Sequence, residues 1–123
     1  MRGVEVSWAL TGWAVVVRVA GEVGAVDVAA VDAELRAVCA ACEPGAVVVL
    51  DLLDIALPSA HGARLISRFV AGCARGRARV CLVVDTGGAA YRVLRVAGVS
   101  ERVPVFAGVR EARAAVDRVV SGR

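Results

Sequence analysis

Ala46-Val47-Val48-Val49-Leu50-Asp51-Leu52 decides the fold. The run is apolar save for Asp51, rich in Val, and too short to be a helix of its own. It reads as a central strand buried on both faces. Such strands belong to parallel sheets, whose crossovers need helices, and the flanking sequence supplies them. Upstream, Val28, Val31, Leu35 and Val38 recur at helical spacing after Asp27, which sits where a helix cap would lie. Glu43-Pro44-Gly45 stops this helix near Cys42. Downstream, residues 54–61 read as irregular around Pro58. Leu65, Ile66, Phe69, Val70 and Cys73 then give a second helix from Gly62 to about Arg75.

Working outward, residues 79–84 form the next buried strand, followed by the loop Asp85-Thr86-Gly87-Gly88. A third helix carries Tyr91, Leu94 and, near its end, Val99. Residues 103–106 make a short strand whose Pro104 an edge position tolerates. A closing helix spans residues 111–120, with Ala115, Val116, Val119 and Val120 on its apolar side. At the start of the chain, residues 4–10 and 13–20 flank Thr11-Gly12 and read as a hairpin. The order ββαβαβαβα predicts an α/β fold: a mixed, mostly parallel sheet of about five strands with about four helices. A chain of 123 residues fits one domain, 1–123.

Composition narrows the function. Hydrophobic residues make up 59% of the chain, the excess being Val and Ala rather than aromatics, yet no apolar run approaches the roughly 20 residues of a membrane span. With no basic start followed by a long apolar stretch, a cytoplasmic protein without direct membrane insertion is expected. All fifteen basic residues are Arg, and the net charge is +3. Arg75-Gly76-Arg77-Ala78-Arg79 concentrates charge, but no aromatic residues interleave with it. The stretch reads as a solvated loop, and no nucleic-acid partner is expected.

Cys39 and Cys42 form a C-x-x-C pair, and Cys73 and Cys81 lie eight apart. With His61 the only histidine, this spacing does not build a four-ligand zinc site, so no metal is expected. The pair also lies at the far end of a helix, whereas a thioredoxin-like motif opens one. The four thiols read as small apolar fillers, with a reversible Cys39–Cys42 disulfide as the redox alternative. No Gly-x-Gly-x-x-Gly or Gly-x-x-x-x-Gly-Lys-Ser/Thr loop is present, and no nucleophile–base–acid set accompanies the single histidine. No enzyme activity, catalytic residue or cofactor is expected. Asp85-Thr86-Gly87-Gly88 only weakly resembles a phosphate loop, which leaves nucleotide binding as a further alternative.

Four stretches in this order resemble the STAS family, whose members include anti-sigma factor antagonists, stressosome proteins and anion transporters. Gly21-Glu22-Val23-Gly24 is similar to the family's Gly-Glu-Leu/Ile-Asp after the second strand. Val48-Val49-Leu50-Asp51-Leu52 followed by Ser59-Ala60-His61-Gly62 is similar to its strand ending in Asp-Leu and its turn Asp-Ser-Ser/Thr-Gly. Residues 90–99 (Ala-Tyr-Arg-Val-Leu-Arg-Val-Ala-Gly-Val) resemble its Val-x-x-Val-Leu-x-x-x-Gly-Leu helix. A short strand and an Ala-rich helix close both. The resemblance covers nearly the whole chain.

The resemblance implies a non-catalytic binding module that docks on an anti-sigma factor acting also as a serine kinase, releasing a sigma factor. Phosphorylation of the hydroxyl residue before the motif glycine would undo the complex, since a phosphate adds about −1.5 to −2 charge at a tight surface. Here that position is His61, preceded by Ala60, and neither accepts phosphate from a serine kinase. Ser59 stands where the family has Asp and is the alternative acceptor. Gly24 replaces the Asp of the first motif. Gly24, Asp54, Ser59, Ala60, His61, Gly62 and Arg64 are therefore the expected partner-binding residues. Glu22 and Asp51 are the neighbouring acids, and Asp51 is expected to accept backbone hydrogen bonds in its loop. His61 reads as an exposed loop residue, as a contact that depends on its protonation, or as a phosphohistidine. Within the same family the competing reading is an accessory subunit of a membrane transporter. Whether the chain forms a homodimer is left open by its sequence.

Overall fold

A computed structural model of the chain describes the backbone of residues 3–121 and the side chains of residues 3–118. Strands β1 (Glu5–Leu10) and β2 (Val15–Glu22) form the expected hairpin, with Trp8 opposite Val17 in antiparallel register. Helix α1 (Val28–Ala41) leads to β3 (Val47–Asp51), β4 (Ile55–Ala56), α2 (Ala60–Arg75) and β5 (Arg79–Val83). Helix α3 (Ala89–Val96), β6 (Val105–Phe106) and α4 (Val109–Ser121) complete the chain. The sheet runs β1-β2-β3-β5-β6, parallel everywhere except at the β1 edge, while β4 pairs with the far end of β2.

Alternation along the central strands divides the core. Val17, Val19, Val48, Leu50, Val80 and Leu82 point toward α1, α2 and α3, where they meet Leu35, Leu65, Ile66, Phe69 and Leu94. Val49, Cys81 and Val83 point the other way, toward Ala112 of α4. Both sides of β3 and β5 are covered, which is why their sequences carry no polar alternation. Leu50 and Leu82 are fully buried, each contributing about 1.5–3 kcal/mol through burial.

The expected order holds with one addition. β4 raises the strand count to six and falls inside the stretch read as irregular, because two residues show no periodicity. Boundaries also move: β2 lies two residues later, at Val15–Glu22, and α4 starts two residues earlier, at Val109. α2 begins at Ala60, two residues before Gly62, with Ser59 as its cap. α3 stops at Val96, and Val99 belongs to a separate 3-10 turn, Val99–Glu101. Pro104 lies just before β6, and its carbonyl accepts from the Leu82 N–H at 2.9 Å. Asp27 precedes α1 but makes no side-chain cap bond to it. Its carboxylate turns back to accept from the Gly24 N–H at 3.1 Å, closing the turn into the helix. The side chains of Val119 and Val120, expected on the apolar side of the last helix, lie outside the described residues.

Candidate functional site

The site is assembled by β4. Its pairing with Gly21 and Glu22, extended by hydrogen bonds from the Gly21 N–H to the Asp54 carbonyl and from the Val23 N–H to the Ala56 carbonyl (both 3.0 Å), holds the loop after β3 against the end of β2. The chain then passes through Leu57 and Pro58 to Ser59 and turns into α2. Gly62 locks the start of that helix down. A Cβ there would stand 2.6 Å from Leu57 Cδ2 and 3.4 Å from the Val23 carbonyl oxygen. Gly62 is thus buried and permits close approach of α2 to Val23, just past the end of β2, while its neighbours His61 and Arg64 face solvent.

Ser59 and His61 form a small closed unit. Ser59 is extended (φ −150°, ψ 174°), and its Oγ accepts from the His61 N–H at 3.4 Å, satisfying one of the free donors of the helix start. The same oxygen lies 3.0 Å from His61 Nδ1. A hydroxyl that donates to Nδ1 while accepting from the backbone fits the Nε2–H tautomer of a neutral imidazole. Ala60 is exposed beside them and offers no polar atom in its side chain.

The acids divide by role. Asp51 Oδ1 accepts from the Leu53 N–H at 3.1 Å, the loop-closing part expected of it. Asp54 is exposed and pairs with Arg18 of β2, a partner the sequence did not suggest. Such a solvated pair adds little stability. Glu22 is exposed and lines a cleft of about 290 Å³ together with Leu57, Pro58, Asp85, Gly88 and Ala90. Phosphate binding does not suit this cleft. Its walls are apolar and acidic, and the Gly87 N–H that a phosphate would need donates to Asp85 Oδ1 at 3.0 Å. Arg64 reaches no ion-pair partner among the described residues.

Two exposed apolar side chains complete this end of the molecule and were not singled out in the sequence. Val26, in the 3-10 turn Ala25–Asp27, is 93% exposed, and Leu53 in the loop after β3 is 42% exposed. Both sit in turns that would tolerate polar residues, which was the available signal. Gly24, Asp54, Ser59, Ala60, His61 and Arg64 thus belong to loops and a helix start at the carboxyl ends of β2 and β3, with Gly62 buried beneath them. Such a surface offers shape, two exposed hydrophobes, one free cation among the described residues and a hydrogen-bonded polar pair. It suits contact with another macromolecule more than chemistry on a small one.

Elsewhere the thiols are not arranged as a C-x-x-C pair. Cys39 meets Cys73 of α2, Sγ to Sγ at 3.2 Å, while Cys42 is tied to Cys39 through its backbone N–H, which donates to the Cys39 carbonyl at 3.2 Å. Among the described residues no group of three or more His, Cys, Asp or Glu could hold a metal ion, and no helix is long and apolar enough to cross a membrane.

Solved structures match this fold over almost its whole length. An anti-sigma factor antagonist from Mycobacterium paratuberculosis superposes with a TM-score of 0.79 at 22% identity, covering 94% of this chain and 95% of that one. The anti-sigma factor antagonist SpoIIAA in its unphosphorylated form gives 0.65 at 16% identity over 95% and 97%. The Bacillus cell fate determinant SpoIIAA in the phosphorylated form gives 0.59 at 17% identity over 95% and 99%. No family model and no curated protein matches the sequence. The chain therefore has the fold of the anti-sigma factor antagonists, the fold that the order of its motifs implied.

Proposed function

We propose that this protein is a regulatory binding domain of the antagonist type, docking on an anti-sigma factor or related serine kinase in partner-switching control of transcription. The observation that carries the reading is the likeness to anti-sigma factor antagonists over 94% of the chain. The docking surface is the N-terminal end of α2 with the adjoining turns: Gly24, Asp54, Ser59, Ala60, His61 and Arg64, supported by buried Gly62. Exposed Val26 and Leu53 supply the apolar part of the contact. The protein works in the cytoplasm, as one domain, and without catalysis.

In the proposed cycle the usual switch is missing. The position before the motif glycine holds His61, and the next hydroxyl, Ser59 Oγ, is engaged by His61 through both its backbone N–H and its ring. A kinase acting on Ser59 would have to open that unit. Binding therefore persists where a phosphorylatable antagonist would be released.

Two measurements test this. Incubation with the cognate kinase and ATP, followed by mass spectrometry, is expected to add no phosphate; a phosphoserine at Ser59 would overturn the claim that the switch is absent. In titration calorimetry with the cognate anti-sigma factor, Arg64→Glu combined with His61→Glu is expected to weaken binding about tenfold to hundredfold. Undiminished affinity would place the docking surface elsewhere on the molecule.

A further inference from the structure

Helices α1 and α2 lie side by side on one face of the sheet, and near their C-terminal ends two thiols meet. Cys39 Sγ stands 3.2 Å from Cys73 Sγ across the helix pair, 34 positions apart in sequence. Gly72 makes room for the approach: a Cβ there would already touch Cys39 Sγ at 3.4 Å. Cys42 follows directly, its N–H donating to the Cys39 carbonyl at 3.2 Å, but the sulfur in contact with Cys39 Sγ is that of Cys73. Helix α1 ends at Ala41, and Cys42 continues in extended backbone (φ −80°, ψ 135°).

The two thiols differ in access. Cys39 is half-buried and lines an open groove of about 650 Å³ between α1 and α2, whereas Cys73 is only 2% exposed. Arg36, Arg68 and Arg75 line the same groove against a single acid, Asp32, which pairs with Arg36 and Arg68. Burial, with the adjacent Cys39 thiol as a second cause, pushes the Cys73 thiol well above its usual range, so it stays protonated beneath. An accessible thiol above a protected one is the arrangement of an oxidisable residue and its resolving partner.

We propose that Cys39 and Cys73 form a peroxide-oxidisable pair that closes into a disulfide joining α1 to α2, leaving Cys42 and Cys81 reduced. The Cys39 thiolate attacks one oxygen of hydrogen peroxide, the O–O bond breaks, and hydroxide leaves to be protonated to water. Cys39 becomes a sulfenic acid. The Cys73 sulfur then attacks the Cys39 sulfur, the S–O bond breaks, and the hydroxyl departs with the Cys73 proton as a second water. Two thiols and one peroxide become one disulfide and two waters, the sulfurs losing the two electrons that the peroxide gains. This inference is independent of the proposed partner, because Cys73 lies roughly 18 Å along α2 from His61.

The test is peptide mapping of the full chain, reduced, freed of reductant, treated with hydrogen peroxide and alkylated before digestion. The expected product is a Cys39–Cys73 linked peptide that dithiothreitol reverses, with Cys42 and Cys81 alkylated. Cys42→Ser keeps the link, and Cys39→Ser loses it. A Cys39–Cys42 link in the unmutated protein would overturn the proposal. So would Cys39 advancing to the sulfinic acid with Cys73 alkylated, or all four thiols remaining alkylated at excess peroxide.

Discussion

The two ends of α2 are built on opposite terms. At its N-terminal end the chain is exposed and polar, and Ser59 Oγ accepts from the His61 N–H while contacting the His61 ring. At its C-terminal end the buried Cys73 meets a thiol from another helix, and the chain leaves through Arg77 in a left-handed conformation (φ 64°). One end shows side chains to solvent over a tight backbone contact at Gly62. The other buries the Cys73 thiol and turns Arg75 and Arg77 to solvent. A single amphipathic helix can therefore serve recognition at one end and hold a protected thiol at the other, because its buried face is continuous from Gly62 to Cys73.

The contrast is broken most severely at Gly62. Gly62→Val forces methyl groups into Leu57 and toward the Val23 carbonyl and is expected to cost about 3 kcal/mol in urea unfolding, the upper end of overpacking effects. A variant as stable as the parent would show that Leu57 steps aside and that the helix start is not held down there. Next in size is alkaline unfolding, which belongs to the thiols at and beyond the C-terminal end. Burial pushes Cys81 from an ordinary 9.0 up to about 11, and Cys73 moves in the same direction. Between these values the unfolded chain has lost its thiol protons and the folded one has kept them. The stabilisation is complete below pH 9 and lost as pH rises through about 11, by roughly 3 kcal/mol for Cys81. The chain has no Lys to blur this window. Cys81→Ala is expected to flatten the alkaline limb of a stability–pH profile, and an unchanged limb would contradict the assignment.

Smaller effects sharpen the comparison. Ser59→Ala removes the cap and the contact to His61 and is expected to cost about 1 kcal/mol of thermal stability. If nothing is lost, the closed Ser59–His61 unit contributes nothing to the helix start. At the opposite end Arg77→Gly relieves a left-handed residue that carries a side chain and is expected to raise stability by up to about 1 kcal/mol. A loss instead would mean that the Arg77 side chain contributes more than its backbone strain costs.

Much of this architecture was legible in the chain. Val47 to Leu50 could hardly be anything but a strand covered on both sides, and the helical spacing of Leu65, Ile66, Phe69, Val70 and Cys73 placed α2 and its buried face. β4 was not legible, because a two-residue strand exists only through its partner Gly21–Glu22. Nor was the start of α2: the motif glycine suggested Gly62, whereas the preference of serine for the cap position put it at Ala60. The C-x-x-C spacing of Cys39 and Cys42 suggested a local pair. Tertiary packing brought a third thiol, Cys73, against Cys39.

By itself, then, the sequence determined the order of elements, the faces that must be buried and the absence of a phosphorylatable hydroxyl at positions 60 and 61. Those follow from periodicity and side-chain chemistry, which act within a few residues. Only the tertiary structure decided that Asp54 faces Arg18, that Ser59 is held by His61 while Gly62 is buried beneath it, and that Cys39 meets Cys73. Except for the Ser59–His61 contact, each depends on which distant segments the sheet and helix packing bring together, and no local pattern encodes that juxtaposition.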